Sequence, residues 1–396
     1  MEQSQLLELI RTLQPSETEH IRYFARLPFF NNGRMKSLVV PLLDIFLSHS
    51  WDDSRQIFTK SQVFEILFPG QEFIEGKLEK VMVEALRVIR SSLLALYYFR
   101  PENEFCQIFD FSEVIRIRGL DVRYLQQLAK LQKMQEESLY MNVTFYFQQF
   151  LLENAIHEKE SLYNQVKGDL NVPKVLQALE SHYHLYRLSL LNRFLLQQKV
   201  ANIEIADSLK SILEDSKLPE RYLEGAPSIK ITYMIFTFLR KIRPEPSDAR
   251  SLFDLLILYE KKLDSESLKE YYTYLRNICV LILILSPEHE EINFTLHDLY
   301  KDNLNRGYLH YEGRIHPSRY LAISENAARV NKYEWALDFI EKHKHQLIGE
   351  NETQDIYRLN LANYQFGIQQ FSDCLDNCQI SPPLRPSLTT CSMENA

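Results

Sequence analysis

Residues 73–99 read FIEGKLEKVMVEALRVIRSSLLALYYF. Leu78, Met82, Ala85, Ile89, Leu93 and Leu96 recur there in steps of three and four, which sets them on one face of an α-helix. From Leu268 the same rule picks out Tyr272, Leu275, Cys279, Ile282 and Leu285. The run VLILIL at 280–285 is β-prone by composition, yet it continues that stripe and reads as the end of a buried helix. Outward from these two stretches, helical spacing runs nearly the whole chain. The fold class is all-α.

Punctuation divides the stripes. Ser16 with Glu19 and Thr59 with Gln62 fit the capping box, in which side chains satisfy the first free amides of a helix. Ser286-Pro287-Glu288 and His316-Pro317 each place proline at a first helical position. The pairs Pro244/Pro246 and Pro382/Pro383 close segments. We therefore expect a helical N-terminal unit over residues 1–100, with helices near 2–14, 16–27, 34–49, 60–68 and 73–99. A long-helix middle segment follows over 101–226, containing helices at 122–135 and 139–156. A break at Gly168–Pro173 leads into another helix from Val175 to Val200. Helical hairpins over 227–380 fall at 228–263, 266–306, 317–348 and 354–379. Their spacing of roughly 35–45 residues is that of two-helix solenoid repeats, whose members bury apolar faces only against neighbours. A mobile tail is expected over 381–396, where prolines at 382, 383 and 386 remove amide donors.

The segment YLAISENAARVNKYEWALDFIEKH at 320–343 resembles a tetratricopeptide-type hairpin. Tyr320 stands at the large aromatic position, Ile323-Ser324 at the leucine and small residue, and Tyr333 at the aromatic opening the second helix. Ala336 is the small residue at the crossing, where it lets two backbones approach. Leu361-Ala362, Phe371, Cys374 and Cys378 take the same places in the next pair, with Pro386 near the closing proline. The wider chain resembles a group of uncharacterised bacterial cytoplasmic helical proteins. That resemblance rests on LPFFNN, ILFPGQEFIEGKLEKVM and GYLHYEGRIHPSRYLAI, and it brings no activity with it. Members of the group continue with further helical pairs, whereas this sequence ends in SPPLRPSLTTCSMENA. The resemblance implies an array cut short, or a changed reading frame. An array lacking its closing helix exposes core, so self-association through the last hairpin is expected.

Composition removes several function classes. The 396 residues carry a net charge of -8, which argues against nucleic acid as a partner except at a local basic patch. Glycine numbers only 10, so phosphate-cradling loops have little to be built from. Five scattered cysteines read as reduced thiols of a cytoplasmic chain. The N-terminal stretch lacks the basic and apolar blocks of a signal peptide, and the longest apolar run, Ile278 to Leu285, is far short of a membrane span.

Candidate chemistry is thin. Gly70…Gly76-Lys77 is one residue too long for a phosphate loop, with Leu78 in place of the metal-binding hydroxyl. His157-Glu158 and His289-Glu290 lack the second histidine of a zinc-protease helix. His182/His184 and His343/His345 lie two apart and point to different sides of a helix. Cys374 and Cys378 share a face one turn apart and read as small apolar core residues. Carboxylates read as solvated faces and i,i+4 pairs. No catalytic, cofactor or metal residue is assigned. Arg87 and Arg90, with Lys77 and Lys80, follow a turn as in a DNA-reading helix, although Glu79 and Glu84 interrupt the basic face. Tyr97-Tyr98-Phe99 and Tyr271-Tyr272 read as packing between helices before they read as anchors for a partner.

The expectation is a non-enzymatic protein-protein interaction scaffold that binds a peptide or protein on its repeat surface. Two alternatives stay open. One is a transcriptional or signalling regulator whose N-terminal unit contacts DNA over 55–100; the other is an enzyme with a dispersed site.

Overall fold

The computed structural model describes residues 4–48, 59–163, 171–201, 207–347 and 353–379. The expected tail over 381–396 lies outside them, as do the polar stretch around Trp51 and the first half of the Gly168–Pro173 break. Every regular element among the described residues is helical; the only β features there are isolated bridges, Tyr311 with Arg314 and Ile315 with Leu347. The chain is all-α. It divides into two compact units, Met1–Leu131 and Gln132–Ala396.

The first unit holds α1 (Gln5–Arg11), α2 (Pro15–Ala25), α3 (Lys36–Leu47), α4 (Lys60–Leu67), α5 (Lys77–Tyr98) and α6 (Glu104–Ile117). Most of α7 (Asp121–Glu136) belongs to it too. The stripe that opened the sequence reading makes α5 the central helix: Leu78, Val81, Met82, Ala85, Val88 and Ile89 are all buried, and α1, α2 and α3 pack on it. Gly76 begins this helix at φ 80, in the left-handed region that glycine enters without a Cβ penalty. At Thr59 the capping box forms as expected, the hydroxyl accepting from the Gln62 amide at 3.3 Å and the Gln62 carbonyl accepting from the Thr59 amide at 2.9 Å. The box expected at Ser16/Glu19 is displaced by two residues. Pro15 takes the first helical position, so Gln14 and Glu17 form the reciprocal cap instead.

The second unit runs α8 (Val143–Tyr163), α9 (Val172–Ala201), α10 (Asp207–Glu214), α11 (Pro227–Arg240), α12 (Pro246–Tyr259), α13 (Ser265–Leu285), α14 (Ile292–Asn305), α15 (Pro317–Arg329), α16 (Tyr333–His343), α17 (Thr353–Gly367) and α18 (Phe371–Gln379). From α8 onward packing follows chain order. α9 lies on α8 and α11, α13 on α11, α12 and α14, α15 on α14, α16 and α17, and α17 on α18. One continuous core joins these helices from Leu188 to Ile356. The Val280–Leu285 run is helical, as its stripe required. His316 caps α15 with Pro317 at its first position. The helix start expected at Ser286-Pro287 is a turn, since the His289 amide bonds back to the Ser286 carbonyl at 3.1 Å and α14 begins only at Ile292.

Buried polar groups stitch successive helices. The Asn192 amide donates to the Thr232 carbonyl at 2.9 Å, and the Thr232 and Tyr271 hydroxyls lie 3.1 Å apart. Arg276 donates to Asn303, Asn326 to the Asn293 carbonyl at 3.2 Å, and Ser324 to Asn360. Such bonds fix which residues meet across each contact, because a slipped register would leave buried polar atoms unpaired.

Candidate functional site

Among the described residues the second unit opens two clefts of similar volume. One, about 790 Å³, runs between α12 and α14 with Tyr272 of α13 in its lining. Each wall presents one helical row at i, i+3, i+4 and i+7. On α12 the row is Arg250, Phe253, Asp254 and Ile257; on α14 it is Thr295, Asp298, Leu299 and Asp302. The two rows stand 45 residues apart at every position. Phe253 and Ile257 are exposed at 37% and 49%, while Leu299 is buried.

Charge in this cleft is mostly negative. Asp302 and Glu260 both accept from Arg306, which closes one end. At the other end Glu291 faces His289 at 3.1 Å. Asp254 and Asp298, one on each wall, have no ion-pair partner among the described residues. Tyr272 is fully buried, and its hydroxyl has no hydrogen-bond partner among the described residues. Burial pushes that hydroxyl up to about 12, so it stays a neutral donor.

The second cleft encloses about 770 Å³. It is lined by the start of α8, by Arg193 of α9, by α13 from Asp264 to Tyr274, and by the 308–319 connection. Its charges are largely engaged. Arg193 meets Glu270 at 3.4 Å, Lys269 donates to the His310 carbonyl at 3.3 Å, and Asp264 caps α13 through the Ser267 amide at 3.0 Å. In the first unit a shallower hollow of about 380 Å³ lies by Lys60, Glu79 and Met82.

The residues singled out in the sequence are not brought together. Lys77 lies over the Phe68 ring at 4.3 Å, and Gly70 and Gly76 serve turns. The side-chain Oδ1 of Asn32 accepts from Arg87 at 2.7 Å, and α5 is committed to the core on its other side. His289 pairs with Glu291 rather than Glu290. His182 stacks on Tyr186 and meets Phe147 at a tilt, while His184 packs on Tyr222 at 4.8 Å. Cys374 is half-buried and Cys378 exposed, which corrects their reading as a core pair; α18 packs chiefly on α17. Tyr271 and Tyr272 pack inside the second unit, whereas Tyr97 and Phe99 are exposed. No cluster of three or more His, Cys, Asp or Glu side chains suited to a metal ion occurs among the described residues.

What sequence reading missed is the pair of rows. Asp254 and Asp298 read as ordinary solvated carboxylates, and only the 45-residue offset between equally spaced rows hints that they share a cleft. Among the described residues no helix is long and apolar enough to cross a membrane. No protein-family model matches the chain, and neither a curated protein nor a solved structure matches it significantly.

Proposed function

We propose that this chain is a non-enzymatic interaction scaffold whose second unit binds a peptide or protein partner on a surface of stacked helical hairpins. The observation that carries the reading is the cleft between α12 and α14: two parallel-spaced rows of mixed apolar and charged residues face one open groove. A groove walled by helices accepts a further segment in the way helix-binding proteins do. The chain-order packing of α11 through α18 supports a solenoid of tetratricopeptide-like hairpins, in which each pair rests on its neighbours. Tyr320, Ile323 and Ser324 of α15 and Ala336 of α16 are buried, as the packing residues of that motif would be. A cytoplasmic setting fits the reduced thiols.

The experiment is affinity capture from an extract of the source cells, with the full-length chain as bait beside a variant carrying Phe253→Ser and Ile257→Ser. Both substitutions are at exposed positions. The expected result is a protein enriched by the native chain and lost from the variant. No enrichment, or equal recovery on both baits, would overturn the proposal.

A further inference from the structure

The α12–α14 cleft has a chemistry that selects its occupant, and the geometry points to a basic amphipathic helix of a partner protein. This rests on the reading of the second unit as an interaction surface and names what that surface takes. Phe253 and Ile257 offer exposed apolar area on the α12 wall, across from the α14 row in which Leu299 is buried. A helix laid between them presents its own apolar row to these side chains and buries it, which is the main attraction in helix-in-groove recognition. Each wall is itself a helical row at i, i+3, i+4 and i+7, so the ridges of a third helix fit the grooves between those positions.

Charge sets the sign of that helix. Among the lining residues four carboxylates, Asp254, Glu291, Asp298 and Asp302, stand against two arginines, Arg250 and Arg306. Arg306 is already held by Asp302 and Glu260. Asp254 and Asp298 have no such partner, and both are exposed at the cleft beside Phe253, Ile257 and Leu299, where an ammonium or guanidinium can reach them. A Lys or Arg on each flank of the incoming apolar row answers them. An acidic helix would meet like charge on both walls.

The test is fluorescence anisotropy with the full-length chain and a labelled helical peptide of about 14 residues, leucines at i, i+3, i+4 and i+7 and lysines on the flanks. A matched peptide carries glutamates in place of the lysines. The expected result is saturable binding of the lysine peptide, weakened about tenfold or more in Asp254→Asn/Asp298→Asn and by less than about twofold in Glu65→Gln/Glu72→Gln. The last two positions are exposed and lie in the first unit, so they control for the overall negative charge. Binding of the glutamate peptide with equal strength, equal loss in both variants, or no saturable binding of the lysine peptide would each overturn the inference. So would self-association of the chain that Asp254→Asn/Asp298→Asn abolishes, because a second copy would then be the occupant. The two readings fail separately. If a captured partner survives Asp254→Asn/Asp298→Asn but is lost with Phe253→Ser/Ile257→Ser, the surface stands and its preference for a basic ligand falls.

Discussion

Gly367, at the end of α17, lies so near the ring of Tyr333 at the start of α16 that a β-carbon on it would stand 2.8 Å from Cε1. Glycine here serves close approach, since its backbone is in ordinary helical conformation. Alanine within a helix ordinarily gains up to about 1 kcal/mol over glycine. Gly367→Ala should instead destabilise by about 1 kcal/mol, because a ring must move out of a packed contact. In a Tyr333→Ala background the same substitution should stabilise. Urea unfolding followed by circular dichroism reads both, and stabilisation in both backgrounds would show that the contact is slack.

Ala336 is fully buried on α16, a helix that packs on both α15 and α17. A larger side chain has nowhere to go without separating the helices. Ala336→Leu should cost about 2 kcal/mol by overpacking, whereas leucine at half-exposed Ala328 on α15 should change stability by less than about 0.5 kcal/mol. Equal midpoints for the two variants in urea would contradict the close crossing.

Tyr320 makes the neighbouring contact polar as well as apolar. Its ring is buried against Phe339 at 5.3 Å, and its hydroxyl donates to the Ile340 carbonyl at 2.7 Å. Tyr320→Phe keeps the ring and deletes the donor, so a loss of about 1 kcal/mol is expected in equilibrium unfolding. An unchanged midpoint would mean that the carbonyl finds another donor.

The stripe of α5 was legible because one buried face repeats through several turns, and the same holds for α13. Starts were less legible, since a cap is decided by which of several polar residues the chain direction favours. Gln14 rather than Ser16 caps α2 because Pro15 enters the helix first, and Pro287 sits in a turn that delays α14 to Ile292. α6 went unmarked in the sequence reading because its apolar residues, from Phe105 and Ile108 to Phe111 and Ile117, spread around the helix: some are buried and others exposed. The cleft was not legible. Asp254 and Asp298 belong to different hairpins, and a one-dimensional pattern says nothing about which solvated faces a fold turns toward each other.

The last helix pair leaves apolar surface open. Phe366, Phe371 and Leu375 are exposed at 64%, 54% and 59%, and the two phenyl rings meet edge to face at 5.7 Å. A contiguous apolar surface of this kind favours association. The full chain should therefore sediment as a concentration-dependent mixture, and Phe371→Glu with Leu375→Glu should raise the dimer Kd about tenfold or more. A monomer at every concentration would refute the expectation.

Acid should loosen the second unit before it touches the first. His297 meets Trp335 edge-on at 4.8 Å, and its Nδ1 is buried with no hydrogen-bond partner among the described residues. Burial holds it below the usual histidine range; Lys301 and Lys332 push the same way, and Asp298 opposes them. His343 packs on Phe339 at 5.0 Å and is lowered by burial, with His310 and Lys342 adding to the effect while the bond to Gln346 and the charge of Asp338 oppose it. His184 and His316 shift the same way, burial being the main cause for each. A histidine lowered in the folded state stays neutral while the unfolded chain begins to protonate near pH 6.5. The unfolded state then holds more protons, so stability falls as pH drops through about 6.5 and stops falling once the folded histidines protonate. Glu325 works in the opposite sense at lower pH, because burial raises it and the folded state takes its proton first. Carboxylates held low by hydrogen bonds, Asp264 by the Ser267 amide and hydroxyl against its burial and Glu341 by Lys344 and Tyr357, add their loss only below about pH 4.5. The measurement uses Trp51→Phe, which leaves Trp335 as the sole tryptophan, and follows its fluorescence through urea unfolding between about pH 7.5 and 5. The midpoint should fall with pH, and His297→Phe should flatten part of that slope. A midpoint that stays level, or a slope untouched by His297→Phe, would show that these imidazoles reach water more freely than their packing against Trp335 and Phe339 implies.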